Sequence, residues 1–196
     1  MENVQYLAQS ISNKRPKESG QIPYFIPDLP SADEVFSLWK SIDESHWYSN
    51  FGPLEQGLRE PFMQRFFAED SGELVTFTHS GTSAITLALR ALKLPKGSQV
   101  LVPALTFPAT ALAVLNAGLE PVFADTDDKL ELSAKTVYEQ IKHHTIRAVV
   151  PVLYHSQHPT PFNWDEFFNE TGIPVVVDAC PALDRQSLPK HCVMTY

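Results

Sequence analysis

The clearest structural signal in the chain is the stretch Val175-Val176-Val177-Asp178-Ala179. A run of β-branched apolar residues is typical of a parallel strand that is buried on both faces. The run ends in a single acid, Asp178. Because a carboxylate at the end of a buried strand is costly without a partner, we expect Asp178 to be paired, hydrogen-bonded or solvated at a cleft.

Similar short apolar runs occur upstream, and helical patterns separate them. The predicted strands are residues 74–78, 99–102, 121–124, 148–153 and 175–177. The predicted helices are residues 82–94, 106–117, 133–142 and 164–171. This alternation predicts an α/β fold with a mostly parallel sheet, flanking helices and right-handed crossovers. In such a sheet, ligands bind at the carboxyl ends of the strands.

The amino-terminal part of the chain carries other signals. Residues 1–20 are polar and contain helix breakers, so we predict a flexible arm there and a single domain over residues 21–196. Ser31 is followed by two acids and an apolar stripe, which predicts a capped helix. A second helix is indicated by fourfold apolar spacing, although Pro61 predicts a kink or an interruption. The spaced residues are Leu54, Leu58, Phe62 and Phe66.

Composition limits the class of protein. The chain has 196 residues, enough for one sizeable core, and 43% of them are hydrophobic. No apolar run approaches the ~18–20 residues that cross a bilayer, so we expect a soluble protein without a membrane partner. The first residues lack the basic start and apolar stretch of a secretory signal, which favours the cytoplasm.

Charge and cysteine usage exclude further classes. A net charge of −8 without a lysine-arginine cluster argues against a nucleic-acid partner. Two cysteines are too few for a disulfide framework and lack zinc-site spacing, so both are expected to be reduced. The seven histidines show no His-x-x-x-His pair, and no metal site is predicted.

A candidate anion site precedes the helix predicted at residues 82–94. The segment His79-Ser80-Gly81-Thr82-Ser83 is a small-residue turn in which backbone N–H groups and two hydroxyls converge. A simple helix cap is the alternative interpretation. With Asp178 at the same edge of the sheet, the two segments supply the charge partners that pyridoxal 5'-phosphate needs, one for its phosphate and one for its pyridinium.

Two more residues are candidates at this edge. Phe107 lies in a turn after a predicted strand, where its ring either stacks on a heteroaromatic ring or belongs to the core. Cys180 lies two residues beyond Asp178, so in an extended strand its small thiol shares the same face and is expected to be buried. The chain has no Gly-x-Gly-x-x-Gly turn, which argues against a dinucleotide-binding fold.

The ordered set of segments resembles the sugar aminotransferases of the DegT/DnrJ/EryC1/StrS family, which are fold type I pyridoxal phosphate enzymes. The resemblance extends from about residue 22 to about residue 184. It is carried by Trp47-Tyr48-Ser49-Asn50-Phe51-Gly52-Pro53, by His79-Ser80-Gly81-Thr82-Ser83-Ala84, and by residues 102–110, 118–125, 148–152 and 173–179.

The resemblance implies a role for each candidate residue. Gly81, Thr82 and Ser83 would contact the cofactor phosphate. Phe107 would stack on the ring and Asp178 would pair with the pyridine nitrogen. Cys180 is a candidate cofactor-binding residue because its position on the strand would put it beneath the group that the carboxylate contacts. The implied reaction moves an amino group from an amino-acid donor to a nucleotide-linked keto sugar, in surface polysaccharide or secondary metabolite biosynthesis. A homodimer is implied as well.

The chain also departs from the family pattern. The lysine that carries the cofactor follows a strand that corresponds to residues 192–196, and Lys190 lies on the wrong side of that strand. We therefore expect no catalytic residue in this chain, a large domain that is truncated at its carboxyl end, and transamination by the chain alone that is absent or very slow.

Smaller departures affect the substrate side. Pro181 stands where many members have a glutamine or histidine that hydrogen-bonds near the cofactor, and proline cannot supply that bond. Leu153 and Ser156 replace an expected histidine and glycine. Two alternatives stay open: a non-enzymatic remnant or interaction partner, and a related sugar dehydratase in which histidine replaces the lysine.

Overall fold

The computed structural model describes residues 29–66, 75–153, 162–182 and 192–195. The chain divides into two compact units, Met1–Val75 and Thr76–Tyr196. The arm predicted at residues 1–20 lies outside the described residues. None of the helices in the described ranges has the length and apolar character needed to span a membrane.

The described residues of the first unit form two helices, α1 (Ala32–Ser45) and α2 (Pro53–Phe66). The capped start predicted at Ser31 is confirmed by a reciprocal pair of bonds. The Glu34 N–H donates to the Ser31 hydroxyl over 3.4 Å, and the Ser31 N–H donates to the Glu34 carboxylate over 2.7 Å. The second helix is also confirmed, and it runs through Pro61 without ending there.

The turn between α1 and α2 is held by Trp47. Its indole N–H donates to the Asn50 carbonyl over 3.1 Å, which fixes the ring. A Cβ atom at Gly52 would lie 3.3 Å from Trp47 Cδ1, so a glycine lets the backbone approach the ring. Beside the turn is a cavity of about 400 Å³, lined in part by Trp39, Trp47 and Tyr48.

The described part of the second unit is built on a five-stranded sheet. Its strands are β1 (Gln99–Pro103), β2 (Glu120–Ala124), β3 (Ile146–Val149), β4 (Val175–Asp178) and β5 (Cys192–Thr195). Their order is β2-β1-β3-β4-β5, and every neighbouring pair is parallel. The predicted α/β fold with a parallel sheet is therefore confirmed.

One predicted strand is wrong. Residues 75–78 do not belong to a strand, and residue 74 lies outside the described residues. The composition of this segment favours a strand, but a strand also needs a hydrogen-bonded neighbour, and the described sheet has its edges at β2 and β5. The strand predicted at 148–153 begins earlier, at Ile146, and ends at Val149.

Among the residues that the structure describes, four helices flank the sheet: α3 (Gly81–Ala91), α4 (Ala109–Asn116), α5 (Ala134–His143) and α6 (Trp164–Thr171). A short 3-10 helix, Cys180–Ala182, follows β4. Helix α4 begins three residues later than predicted because Pro108 disfavours helical geometry at Phe107, the residue before it. Helix α6 ends at Thr171 and is followed by Gly172, which has a φ of 67° and forms the left-handed cap that a glycine permits.

The core has two layers because successive strand residues point to opposite faces of the sheet. On one face, Val176 packs with Ile85 and Leu89 of α3 and with Val114 of α4. On the other face, neighbouring strand residues pack with α5 and α6. The strand residues include Leu101, Val149, Val175 and Val177, and the helix residues include Val137 of α5 and Phe167 of α6. The two layers fix α3 and α4 beside the carboxyl end of β4, where Asp178 lies.

Candidate functional site

A cavity of about 300 Å³ opens at the carboxyl ends of the strands in the second unit. Asp178 is the last residue of β4, and the other residues come from α3, from the segment after β1, from the first residue of α4, from the segment after β3 and from the 3-10 helix. The lining residues are Ile85, Thr106, Phe107, Ala109, Val152, Asp178, Cys180 and Pro181. Of the six residues predicted for the site, Phe107, Asp178 and Cys180 therefore lie in one cavity.

Asp178 is a buried carboxylate, with 6% of its surface exposed. Its Oδ2 atom accepts a hydrogen bond from the Thr110 hydroxyl over 2.9 Å, and its Oδ1 atom accepts one from the Cys180 N–H over 3.2 Å. Its own backbone is fixed by bonds to Pro151 and Leu153. In the part of the chain that the structure describes, no lysine or arginine pairs with it. Within the described ranges the carboxylate thus meets hydrogen-bond donors without a formal charge, and one side of it faces the cavity.

Phe107 lies at the mouth of the cavity, with 77% of its surface exposed. It comes just before Pro108 and the first residue of α4. The alternative interpretation of Phe107 was a core residue. This exposure contradicts it, because the ring lies outside the core. An aromatic face that is open to solvent beside a buried acid is suited to contact with a flat ring.

Cys180 begins the 3-10 helix after β4, and this corrects one expectation. The residue is exposed rather than buried, because the extended strand ends at Asp178 and the chain turns. Partial burial of the thiol, and then the charge and hydrogen bonding of Asp178, raise the Cys180 pKa to about 12. The thiol therefore stays protonated at neutral pH and is a poor nucleophile there.

The predicted anion-binding residues Gly81, Thr82 and Ser83 are the first three residues of α3. None of them lines the cavity, but Ile85 does, and four residues of helix span only about 6 Å. Ser80 caps the helix as the alternative interpretation requires, since its hydroxyl accepts from the Ser83 N–H over 3.2 Å. An anion at this end would meet the N–H groups of Gly81 and Thr82 first.

The Ser83 hydroxyl is already engaged in this arrangement. It lies 3.1 Å from the Ser80 hydroxyl and 3.0 Å from Nε2 of His79. A phosphate that used Ser83 would therefore replace one of these bonds. His79 is exposed and lies beside the same helix end.

Two threonines that the sequence analysis did not single out complete the site. The Thr106 and Thr110 hydroxyls lie 2.9 Å apart, and Thr110 donates onward to Asp178. Helical spacing was no signal for the pair, because Thr106 precedes the first residue of α4 and only Thr110 belongs to the helix. Ile85 and Val152 were missed as well, since apolar lining residues carry no chemical signature.

Two of the residues that depart from the family pattern lie within the described ranges. Pro181 lines the cavity, where it offers no N–H group. Leu153 is buried in the core rather than exposed in the cavity. Ser156 and Lys190 lie outside the described residues.

Comparison with known families identifies the class of protein. The model of the DegT/DnrJ/EryC1/StrS aminotransferase family matches residues 31–191. The chain belongs to this family, which confirms the resemblance drawn from its motifs.

Particular relatives match parts of the chain. A UDP-N-acetyl-3-dehydro-alpha-D-glucosamine 3-aminotransferase of Acidithiobacillus ferrooxidans is 45% identical over 73 residues, which are 37% of this chain and 20% of that protein. A 3-oxo-glucose-6-phosphate:glutamate aminotransferase of Bacillus subtilis is 28% identical over 185 residues, which are 91% of this chain and 40% of that protein. The chain thus spans less than half the length of these relatives.

A solved structure of an aminotransferase is similar to this chain in fold. A Bacillus cereus protein named as a pyridoxal phosphate-dependent aminotransferase superposes with a TM-score of 0.69 and 32% identity. The match covers 83% of this chain and 44% of that one. The second unit therefore has the architecture of the large domain of fold type I enzymes.

Proposed function

We propose that this chain supplies the ring-binding and phosphate-binding residues of a pyridoxal phosphate-dependent aminotransferase that acts on a keto sugar. The observation that carries the proposal is Asp178, a buried carboxylate without a cationic partner in the described part of the chain, beside a cavity at the carboxyl edge of the sheet. A buried acid of this kind is costly unless a cationic group arrives from outside. A protonated pyridine nitrogen is such a group.

The residues of the cavity fit this cofactor in three ways. Asp178 would accept a hydrogen bond from the ring nitrogen and keep that nitrogen protonated. Phe107 would cover one face of the ring by offset stacking. The N–H groups at the start of α3, with the Thr82 and Ser83 hydroxyls, would hold the phosphate. When bound, the cofactor supplies an electron sink for the bonds at the substrate Cα atom.

The lysine that an aminotransferase needs is not among the described residues that line the cavity. We therefore propose that the residues of this chain bind the cofactor without a covalent bond, and that a lysine outside the described residues, from this polypeptide or another, completes the catalytic set. Cys180 does not substitute for it, because its pKa of about 12 keeps the thiol protonated at neutral pH.

The substrate proposal follows the names of the relatives. One of them acts on a UDP-linked dehydro sugar and another on a phosphorylated oxo sugar with glutamate as the donor. We propose a nucleotide-linked keto sugar as the acceptor and an amino acid as the donor, in a cytoplasmic homodimer that serves polysaccharide or secondary metabolite biosynthesis. The cavity supports only the cofactor part of this proposal, and the names of the relatives support the substrate part.

The cofactor part is tested by titrating the purified chain with pyridoxal phosphate and following protein fluorescence and cofactor absorbance. We expect saturable binding, weakened about tenfold or more in Asp178→Asn, because the variant loses a charge-assisted hydrogen bond. Asp128→Asn, a change at an exposed acid, is the control and should bind like the wild type.

Two outcomes would contradict the proposal. A folded wild-type chain that does not bind the cofactor favours the alternative of a remnant or interaction partner. Equal affinity in Asp178→Asn and the wild type would show that the ring nitrogen does not meet this acid. Borohydride treatment of the complex then locates the lysine: labelling of this chain would place it in this polypeptide, outside the described lining of the cavity, and an unlabelled chain would place it in another.

A further inference from the structure

We propose, on the basis of the function above, that Thr110 is the residue that positions Asp178 toward the cofactor ring, and that Thr106 orients Thr110 in turn. Thr110 is the second residue of α4, and it is fully buried. It does not line the cavity, so its effect on a bound ring passes through Asp178.

The direction of the hydrogen bonds follows from the donors available. Thr110 donates its single hydroxyl proton to Asp178 Oδ2, 2.9 Å away. Thr110 can then only accept from the Thr106 hydroxyl, also 2.9 Å away. The chain of donors therefore runs from Thr106 to Thr110 to Asp178. Such chains strengthen each bond by mutual polarisation.

Each oxygen of the carboxylate is held by a different element. Thr110 of α4 holds Oδ2, and the Cys180 N–H of the 3-10 helix holds Oδ1. Rotation of the carboxylate about its Cβ–Cγ bond would break both bonds. Because each carboxylate oxygen accepts more than one hydrogen bond, an acceptor position stays available on the side of the cavity.

Thr110 also connects Asp178 to Phe107. The Thr110 N–H donates to the Phe107 carbonyl over 3.2 Å, while its hydroxyl bonds the carboxylate. Pro108 caps α4 without a side-chain hydrogen bond, so Thr110 contributes directly to fixing this turn. One residue therefore holds both groups that we expect to contact the ring.

The test compares Thr110→Val, which removes the hydroxyl but keeps the shape, with Thr110→Ser, which keeps the hydroxyl. Cofactor affinity is measured by titration, and the ring-nitrogen signal of 15N-labelled pyridoxal phosphate is measured by NMR. We expect Thr110→Val to weaken binding about tenfold, the size expected for a lost hydrogen bond to a charged group. In Thr110→Val, the ring-nitrogen signal of the bound cofactor should move toward that of neutral pyridine. In Thr110→Ser, both the cofactor affinity and the ring-nitrogen signal should match the wild type.

Thr86→Val is the matched control. Thr86 is a buried threonine of the neighbouring helix α3, and its hydroxyl donates to backbone carbonyls, at 2.8 Å to Thr82 and 3.4 Å to Ala113. Its loss should lower the melting temperature without moving the ring-nitrogen signal. A purely structural role for Thr110 predicts that the two valine variants behave alike, and that result would overturn the inference.

The outcomes separate this inference from the function on which it rests. If Asp178→Asn binds like the wild type, the proposed function fails. If Asp178→Asn weakens binding and Thr110→Val does not, only the positioning role fails. Should Thr110→Val not fold, Thr106→Val decides the matter: we expect a loss of affinity of about threefold from the weakened donor chain, and unchanged affinity would overturn the inference.

Discussion

Phe107 is the site residue that can be changed with the least effect on folding, because 77% of its surface is exposed. We expect Phe107→Leu to lower pyridoxal phosphate affinity about two- to tenfold, since ring stacking contributes roughly 0.5–1.5 kcal/mol. Its denaturant midpoint should match the wild type. Titration and urea unfolding measure the two quantities. Phe123→Leu is the control, because Phe123 is also exposed but lies on β2 away from the cavity lining. Equal losses in both variants would contradict ring stacking at Phe107.

At the scale of single residues, the sequence predicted charge better than hydrogen bonding. Asp178 stood out because an acid after a buried run must have a partner. Thr110 did not, since its hydroxyl is neutral and its bond to Asp178 joins residues 68 positions apart. Only the packing of α4 against the sheet brings them together. Cys180 was placed correctly beside Asp178 but wrongly buried, because the turn after β4 was not predicted.

At the scale of elements, the start of α3 differs from the start of α5 in its expected ligand. Ser80 caps α3 and Ser133 caps α5 through the same type of hydrogen bond. We expect Ser80→Ala and Ser133→Ala each to reduce the free energy of unfolding by about 1 kcal/mol. Only Ser80→Ala should also weaken pyridoxal phosphate binding, by several fold. Without the cap, the backbone N–H groups at the proposed phosphate position are less firmly fixed.

Binding of pyridoxal, which lacks the phosphate, tests whether the effect of Ser80→Ala depends on the phosphate group. Pyridoxal has the same ring without the phosphate, so its affinity should be the same in the wild type and in Ser80→Ala. Urea unfolding and ligand titration measure the two effects. If pyridoxal and pyridoxal phosphate lose affinity equally in Ser80→Ala, the phosphate does not lie at this helix end.

Elements were predicted well where local sequence decides them. The helix at Trp164–Thr171 was predicted with its observed bounds, because a cap, an apolar face and Gly172 all agree. The segment at residues 75–78 shows the limit. Its composition favours a strand, but membership of a sheet depends on a neighbour that composition cannot reveal. The start of α4 was also predicted wrongly, but for a reason that the sequence contains. A proline at residue 108 disfavours helical geometry at the residue before it, so a later start could have been predicted.

At the scale of the whole molecule, one buried acid makes stability depend on pH. Glu131 lies in the turn after β2 with 8% of its surface exposed. Burial, and then the charge of Asp127, raise the Glu131 pKa to about 7, while Lys129 opposes the shift. The turn is fixed by Asp127, whose carboxylate accepts from the N–H groups of Lys129 and Glu131. The two acids are therefore held close to each other.

The sign of the pH effect follows from the two states of Glu131. The folded chain keeps the carboxyl proton up to about pH 7, whereas the unfolded chain releases it near the ordinary value of 4.5. Its contribution to stability is thus complete below about pH 4.5 and is lost as the pH rises through 7. We expect Glu131→Gln to stabilise the fold by roughly 1–2 kcal/mol at pH 8 and by little at pH 4.5.

Urea unfolding at the two pH values checks this prediction, with the exposed Glu120→Gln as the control. A gain in Glu131→Gln that is equal at both pH values would mean that protonation of Glu131 is not coupled to folding. A gain in Glu120→Gln of the same size would point to net charge rather than to the buried position.

The all-parallel order of the sheet has a consequence for how the chain reaches this state. Since no two adjacent strands are joined by a hairpin, every ladder closes only after an intervening crossover has formed. Strand β1 must in addition recruit partners on both sides, β2 and β3. The entropy of loop closure is therefore lost before most contacts form, so refolding should proceed in milliseconds to seconds rather than microseconds, with unpaired strand edges exposed in the meantime.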